Sequence, residues 1–323
     1  MFKKIRESIT MRVISKKDGI WLCSTLLLTL LLAASPADAV EEVDVEKIIR
    51  ERVDNGLSVG IVVGVIDPNN TKFYSYGKMA RGSDKPADEN TIYEIGSVTK
   101  VFTAVLLADM VEKGELRLDE PVETFLPDRV KVPTYRGKKI TLEHLATHTS
   151  GLPRLPDNLT PKDGMNPYAD YTAEQMYDFL SSFTLERDIG SSTQYSNLGQ
   201  GLLGHILALK AGVSYEQLVV DRICNGLEMD STRITLSPQQ KMHLAKGYMG
   251  ETEMPNWDFL ALAGAGALRS SARDLVKFLA ANLGFSKTEL YPAMQNTHKA
   301  RHETDDSHTE IALGWHIFTK RNR

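Results

Sequence analysis

The run from Val101 to Val111 constrains the fold more than any other stretch, because it has almost no polar face. Its one charged residue is Asp109, and the helical pattern continues to Lys113 before Gly114. A helix that is apolar on nearly all sides is buried between two layers rather than laid on a surface. The sequence therefore predicts a central helix that starts near Ser97 and runs through the core of a large domain.

The flanking segments predict a mixed α/β (α+β) fold. Residues 45–53 carry apolar side chains at helical spacing, and residues 57–66 and 72–77 read as two strands joined by a turn. A helix beside an antiparallel hairpin indicates an antiparallel sheet flanked by helices. From roughly 120 to 260 short helices and loops follow, with capping boxes expected at Thr172 and Ser214. This region predicts an inserted, mostly helical lobe.

The first 39 residues have the composition of a secretory signal. Basic residues precede an apolar segment from Ile20 to Ala34, and Ala37-Asp38-Ala39 offers small residues for cleavage, whether translation starts at Met1 or Met11. The apolar segment is short for a membrane span, so cleavage is favoured over a retained anchor through residues 20–34. We expect a secreted or periplasmic protein with a mature domain of residues 40–323, touching a membrane only if the segment stays uncleaved.

Charge and cysteine content narrow the partners. The formal net charge is -4 at pH 7 and becomes more negative without the basic leader, so no nucleic-acid partner is expected. Cys23 lies in the leader, which leaves Cys224 alone in the mature chain. No internal disulfide can form, and Cys224 is expected to be a buried structural thiol.

Ser97 and Lys100 begin the central helix and lie on one of its faces. A serine in a first turn meets unpaired backbone N–H groups that favour a developing negative charge. A lysine rising from an apolar helix is desolvated, which lowers its pKa from ~10.4 and lets it take a serine proton. On these four residues alone, a serine cap followed by an ordinary exposed lysine remains the more frequent alternative.

Tyr195 and Asn197 come just before another predicted helix, from Leu198 to Lys210, which is rich in glycine. A phenol beside Lys100 could ionise if nearby positive charge lowered its pKa from ~10 toward ~7, which needs about 4 kcal/mol. Tyr195 would then be the general base for Ser97 and later for water, and Asn197 would hold the substrate amide. The alternative is a turn tyrosine bonded to a backbone carbonyl.

These motifs resemble those of the class C β-lactamase and low-molecular-weight penicillin-binding protein superfamily of serine hydrolases. The likeness covers nearly all of residues 45–315, although Glu228 stands where the family usually has glycine. The segments that carry it are Ser97-Val98-Thr99-Lys100, Leu145–Pro153, Tyr195-Ser196-Asn197, Val111–Leu116, Leu118–Val122, Ala265–Ser270 and Leu313-Gly314-Trp315.

The resemblance implies a β-lactamase/transpeptidase-like fold and an exported hydrolase that opens β-lactams through an acyl-enzyme on Ser97. It implies that Lys100 and Tyr195 move the proton and that the Ser97 backbone N–H forms half of the oxyanion hole. The substrate would be a small-molecule β-lactam or a D-Ala-D-Ala peptide, with no metal or organic cofactor. Carboxypeptidases, endopeptidases and short-chain esterases share these motifs, and the Val132–Tyr135 stretch is similar to peptidoglycan-trimming members.

One family element is not found in this sequence. A Lys-Thr-Gly or His-x-Gly segment normally follows Leu-Gly-Trp closely, and the chain ends at Arg323. The resemblance therefore implies that the C-terminal strands are missing, and with them the second oxyanion N–H. Loss of one such donor costs ~10²–10³ in rate, which leaves a truncated, non-catalytic binding protein or fragment as the alternative of another class.

Other reactive side chains read as structural. His144 and His148 lie four residues apart, and three more histidines stand among acidic residues near the end of the chain, at His298, His302 and His308. Either group resembles a metal site, but no metal is expected, because the first belongs to a family segment and the second reads as a solvated loop. Ser150 lacks the Gly-x-Ser-x-Gly elbow and is expected to be a turn residue.

Overall fold

The computed structural model describes residues 44–304 and 308–318. The predicted signal, including its apolar segment and Cys23, lies outside the described residues. Within the described part of the chain, no helix is both long and apolar enough to cross a membrane. Cys224 is free and buried, as predicted, with its Sγ 3.7 Å from the Thr232 carbonyl oxygen.

The N-terminal helix and hairpin form as predicted. Helix α1 (Val45–Asp54) packs on strand β2 (Asn70–Gly77), which pairs in antiparallel register with β1 (Gly60–Asp67). The carboxylate of Asp67 fixes the turn, because it accepts the backbone N–H groups of Asn69 and Asn70 at 2.8 and 3.0 Å. This short-range Asx contact therefore forms the turn that the sequence predicts between the two strands.

The central helix α2 (Thr99–Glu112) is buried from Thr99 to Met110, as its apolar pattern predicts. It begins two residues later than expected, because Gly96–Val98 forms a separate 3₁₀ turn. Its end follows the prediction, with Gly114 in the left-handed conformation at φ 71°. The rings of Phe102 and Phe278 stack at 4.2 Å between centroids, so α2 is packed against a C-terminal helix inside the core.

The other described elements are short helices and small antiparallel sheets. The helices are α3 (Leu142–Ala146), α4 (Ala173–Ser182), α5 (Asn197–Ala211), α6 (Tyr215–Val219), α7 (Pro238–Lys241), α8 (Ala263–Gly266), α9 (Ala272–Leu283) and α10 (Tyr291–Thr297). The strands are β3 (Ile92–Glu94), β4 (Gly247–Met249), β5 (Thr252–Met254), β6 (Arg269–Ser271), β7 (His302–Glu303), β8 (Thr309–Ile311) and β9 (His316–Phe318). Strand β3 pairs with β6, β4 with β5, and β8 lies between β7 and β9. The mixed α/β class with antiparallel sheets and flanking helices is confirmed.

The two expected capping boxes differ. At Thr172 the box is complete, because its side chain and that of Gln175 each bond the other's backbone. At Ser214 the serine does accept the Gln217 N–H, but the Gln217 side chain donates to Asp221 at 2.7 Å instead of returning to the cap. The second prediction is therefore half correct, since a competing i+4 acceptor takes the glutamine.

Helices α5 and α8 approach each other at backbone distance. A Cβ added at Gly204 would lie 2.7 Å from the Gly264 Cα, and one added at Gly201 would lie 2.6 Å from a Leu262 methyl. Only glycine permits this approach, because it has no Cβ. The contact brings α8, and with it the Ala265 carbonyl, against the N-terminal end of α2.

Candidate active site

The structure brings Ser97 together with the three other residues that the sequence selects. Ser97 is exposed in the 3₁₀ turn ahead of α2, where backbone N–H groups have no intrahelical acceptor. Its Oγ lies 3.1 Å from the Lys100 Nζ and 2.6 Å from the Tyr195 hydroxyl. The Lys100 Nζ also reaches the Asn197 Oδ1 at 2.9 Å. Residues almost a hundred positions apart thus share one cluster around an accessible hydroxyl.

Lys100 is a buried amine, only 2% exposed, that forms no ion pair with the residues described. Besides Ser97 it donates to the Asn197 Oδ1 and to the Ala265 carbonyl oxygen, the latter at 2.6 Å. Burial, and secondarily the positive charge of Arg154, lowers the pKa of Lys100 to about 7. A large part of the Lys100 population is therefore neutral near pH 7.

The partners of Lys100 fix the direction of its lone pair. Both Asn197 Oδ1 and the Ala265 oxygen can only accept, so each takes one N–H of the amine. A neutral amine has two N–H groups and one lone pair, and the remaining direction points at the Ser97 Oγ. The geometry therefore lets neutral Lys100 accept the hydroxyl proton of Ser97 without first moving.

Tyr195 corrects the sequence-based expectation about its charge. Burial raises the pKa of Tyr195, and the opposing effects of its hydrogen bond to Ser97 and of Arg154 are smaller. Because Lys100 is itself only partly charged near neutrality, it does not supply the fixed cation that an ionised phenol needs. The expectation of a pKa near 7 is wrong, and the resting Tyr195 is a neutral phenol that donates to the Ser97 Oγ.

The loop carrying Tyr195 is held by His148 and by the cap of α5. The Ser196 Oγ accepts the Gly199 N–H at 2.8 Å and donates to the Pro153 oxygen at 2.6 Å. The Ser196 N–H donates to the Nδ1 of His148, whose ring lies 4.6 Å from the Tyr195 ring. Burial lowers the pKa of His148 to about 3, so this nitrogen remains an acceptor. His148 adopts φ 61°, a conformation seldom used outside glycine.

The side chains that might suggest a metal or a second nucleophile have other partners. The His144 Nδ1 lies 3.1 Å from the Thr141 N–H and completes the cap of α3. His298 packs edge-on against Trp315. The Ser150 Oγ accepts the Leu152 N–H at 3.2 Å, as a turn serine does. Within residues 44–304 and 308–318 there is no group of three or more metal-ligating side chains.

Sequence reasoning missed Arg154 and the Ala265 carbonyl. The Arg154 carbonyl accepts the Asn197 N–H at 3.0 Å, and its guanidinium carbon lies 5.1 Å from the centre of the Tyr195 ring. The available signal was position, because Arg154 follows the Leu145–Pro153 motif directly and Ala265 lies in a motif that carries the family resemblance. Neither residue type suggests chemistry by itself, since one is common on surfaces and the other acts through its backbone.

An aromatic shelf beside the nucleophile was also missed. It consists of Tyr168, Trp257 and Phe259. Tyr168 stacks on Phe259 at 4.7 Å and meets Trp257 edge-on at 5.3 Å between ring centroids. A Cβ added at Gly266 would lie 3.1 Å from the Phe259 ring and 3.9 Å from the Gly96 backbone. The shelf therefore adjoins the turn that carries Ser97.

Comparisons with known proteins show the family of the chain. The sequence profile of the family described as Beta-lactamase matches residues 45–323. The D-alanyl-D-alanine-carboxypeptidase/endopeptidase AmpH of Escherichia coli K12 is 34% identical over 223 residues, which are 69% of this chain and 57% of AmpH. A β-lactamase of Providencia stuartii is 27% identical over 283 residues, 87% of this chain and 70% of that protein. The chain thus spans little more than half the length of AmpH.

Solved structures give the same result. A class C β-lactamase from Rhodobacter sphaeroides superposes with a TM-score of 0.71 at 29% identity, covering 83% of this chain and 73% of that one. A β-lactamase/D-alanine carboxypeptidase from Pseudomonas syringae superposes with a TM-score of 0.72 at 25% identity, covering 83% of this chain and 72% of that one. The likeness therefore extends from sequence to the backbone arrangement over 83% of this chain.

Proposed function

Because the chain belongs to the β-lactamase family, we propose that it is an exported serine hydrolase that opens β-lactam amides through an acyl-enzyme on Ser97. The observation that carries the proposal is the buried, ion-pair-free Lys100, whose pKa is lowered to about 7 and whose Nζ lies 3.1 Å from an exposed serine hydroxyl. An amine of that pKa is matched to general-base work at neutral pH. The catalytic unit would lie within a mature domain of residues 40–323, after removal of residues 1–39.

Acylation begins when neutral Lys100 removes the hydroxyl proton of Ser97. The Ser97 Oγ forms a bond to the carbonyl carbon, and the carbonyl electron pair moves to oxygen, where the Ser97 N–H stabilises it. The C–N bond then breaks, and the nitrogen takes the proton of Tyr195, whose hydroxyl lies 2.6 Å from the Ser97 Oγ. Protonated Lys100 restores the phenol through the same cluster, so the acyl-enzyme forms with no net gain or loss of protons.

Deacylation reverses these roles with water as the nucleophile. Water loses a proton to the Tyr195 and Lys100 pair as its oxygen bonds to the ester carbon. When the ester bond breaks, the Ser97 Oγ recovers a proton, and a carboxylic acid leaves. Asn197 bonds Lys100 through its oxygen, so its amide N–H₂ group can donate to the acyl amide of the substrate.

A second candidate is a D-Ala-D-Ala carboxypeptidase or endopeptidase that acts on peptidoglycan. It is favoured by the 34% identity to AmpH, a higher identity than that of the P. stuartii β-lactamase. The two functions share the acylation chemistry and differ in how fast water clears the acyl-enzyme. The lifetime of the adduct therefore distinguishes them.

The test is intact-mass spectrometry of the purified protein after incubation with a penicillin. We expect a mass gain of one whole drug molecule in the wild type and none in Ser97→Ala. Ser150→Ala is the matched control, since it removes a serine hydroxyl whose partner is the Leu152 N–H of its own turn. Decay within seconds supports a β-lactamase, and persistence over many minutes supports a peptidase. A folded wild-type protein that gains no mass would contradict both.

A further inference from the structure

We propose that Arg154 binds a carboxylate on the acyl side of the substrate, so that the enzyme prefers acidic acyl groups. This inference rests on the proposed function and names the substrate class of the same site. Arg154 takes no part in the proton transfers of the proposed mechanism. The protein has a formal net charge of -4, so this arginine is not part of a general basic surface.

The guanidinium of Arg154 is exposed and uncommitted. Among the described residues it makes no hydrogen bond or ion pair, and its one contact is with the ring of Tyr195 at 5.1 Å. Other exposed arginines of the chain do have carboxylate partners, for example Arg129 with Glu174 and Arg273 with Glu89. An arginine offers a planar fork of N–H donors that matches a carboxylate. At Arg154 that fork has no partner among the residues that the structure describes.

The backbone of Arg154 fixes it at the acyl side of the nucleophile. Its carbonyl accepts the N–H groups of Asn197 and Leu198 at 3.0 and 3.3 Å, so it is tied to the segment that would hold the substrate amide. Tyr168 lies near the same segment, because the Asn197 side chain opposes the rise that burial causes in the pKa of Tyr168. Arg154 and the shelf therefore flank the same amide position. A group attached to the acyl carbon has to pass between them.

The aromatic shelf is held rigidly enough to orient such a group. The Trp257 N–H donates to Glu94 at 2.8 Å, and its carbonyl accepts from the Arg269 Nη2 at 2.9 Å. The Trp257 indole N–H donates to the Met165 carbonyl at 2.9 Å. All polar groups of an exposed tryptophan are thus satisfied, and its ring remains available as an apolar surface. An aryl group can lie on the shelf while its carboxylate meets Arg154.

A competing explanation is that Arg154 acts through Lys100 alone. Burial is the main cause of the lowered pKa of Lys100, and the Arg154 charge adds to it. That effect changes the amount of neutral Lys100 and so changes acylation by every substrate equally. Recognition of a carboxylate instead changes one substrate more than another. The ratio of two rates separates the explanations.

The experiment compares two penicillins with the full chain, one with a phenylacetyl side chain and one with its α-carboxy derivative. Both have the same ring system, so they differ in charge on the acyl side only. The second-order rate constant of acylation is measured by quenched intact-mass spectrometry. We expect Arg154→Gln to slow the carboxylated drug roughly tenfold more than the neutral one. Arg154→Lys should retain part of the preference, since it keeps the charge and loses the fork.

The control is Arg117→Gln, which removes an exposed arginine paired with Asp119 and Glu120. It should leave the ratio unchanged. If Arg154→Gln slows both drugs by the same factor, the inference is overturned while the proposed function stands. If the wild-type protein is acylated by neither drug, the proposed function fails and the inference fails with it.

Discussion

Helix α2 buries one charge near each end, and the two are treated in opposite ways. Near its start, Lys100 has three neutral oxygen partners and no carboxylate among the described residues. About two and a half turns later, Asp109 is 4% exposed and bonds two cations, Lys113 at 2.8 Å and Arg222 at 2.9 Å. The same apolar helix therefore carries one unpaired and one fully paired charge.

The two buried side chains differ in what their partners do to their charge. A buried charge is tolerated when it is paired, as Asp109 is, and otherwise its pKa shifts until the neutral form is populated, as at Lys100. A carboxylate beside Lys100 would stabilise the ammonium and remove its basicity near pH 7. In the proposed mechanism, the absence of an ion pair with the described residues keeps Lys100 basic, whereas the network at the other end holds α2 to the segment that carries Arg222.

The largest effect is expected when the unpaired end is given a permanent charge. Lys100→Arg introduces a guanidinium that is always protonated and cannot accept the Ser97 proton. Acylation by a penicillin should slow by about 10³-fold, within the range for loss of a general base. The matched control is Lys113→Arg on the same helix, which keeps its pairing with Asp109. Equal acylation by Lys100→Arg and wild type in an intact-mass assay would contradict the role of Lys100.

The next largest effect concerns the paired end. Asp109→Ala removes the acceptor shared by Lys113 and Arg222 and should lower the free energy of unfolding by about 3 kcal/mol. Acylation of the folded variant should change little, because the site lies at the other end of α2. Urea denaturation measures the first effect and intact-mass spectrometry the second. A variant that is fully stable but no longer acylated would reverse the assignment of the two ends.

Lys100→Met is expected to raise the free energy of unfolding, by less than Asp109→Ala lowers it. The folded-state pKa of Lys100 is about 7 and the unfolded value is ~10.4, so in this window the unfolded chain binds more protons. Wild-type stability gained from this group therefore rises with pH from 7 to 10. Lys100→Met should be more stable than wild type by about 1–2 kcal/mol at pH 7, and the difference should narrow toward pH 10. A constant difference across urea titrations at several pH values would indicate that Lys100 keeps its ordinary pKa.

The smallest effect on the free energy of unfolding is expected at a strained backbone position that belongs to neither the Lys100 nor the Asp109 hydrogen-bonded group. Glu228 adopts φ 55°, the left-handed conformation that glycine adopts without cost, and follows the short helical turn Asn225–Leu227. Glu228→Gly should raise the free energy of unfolding by about 0.5–1 kcal/mol. Glu228→Ala removes the carboxylate without relieving the backbone, so it should give no such gain. Equal stability of the two variants in urea would contradict the strain.

Local patterns were sufficient to predict much of this molecule. The all-round apolar run predicted the buried helix, and the spacing of Ser97 and Lys100 predicted their contact. The family resemblance added Tyr195 and Asn197 to the same cluster. Each of these depends on residues close in sequence or on a motif of fixed order.

The remaining features depend on contacts that no local pattern encodes. The Ala265 carbonyl reaches Lys100 only because α5 and α8 touch through their glycines, and any residue type would offer the same oxygen. The charge state of Tyr195 follows from a balance of burial against one hydrogen bond and Arg154, which cannot be read from the sequence. The shelf combines Tyr168 with residues about 90 positions away. Such features require the folded backbone.

Titration of Lys100 is the most direct test that a large part of its population is neutral near pH 7. In protein labelled with ¹³C and ¹⁵N on lysine, the side-chain resonance absent from Lys100→Met identifies Lys100, and its chemical shift is followed from pH 5 to 11. We expect a midpoint near 7, well below the ordinary lysine value of ~10.4. A midpoint above 10 would contradict it, because Lys100 would then be a fixed cation and not the base for Ser97.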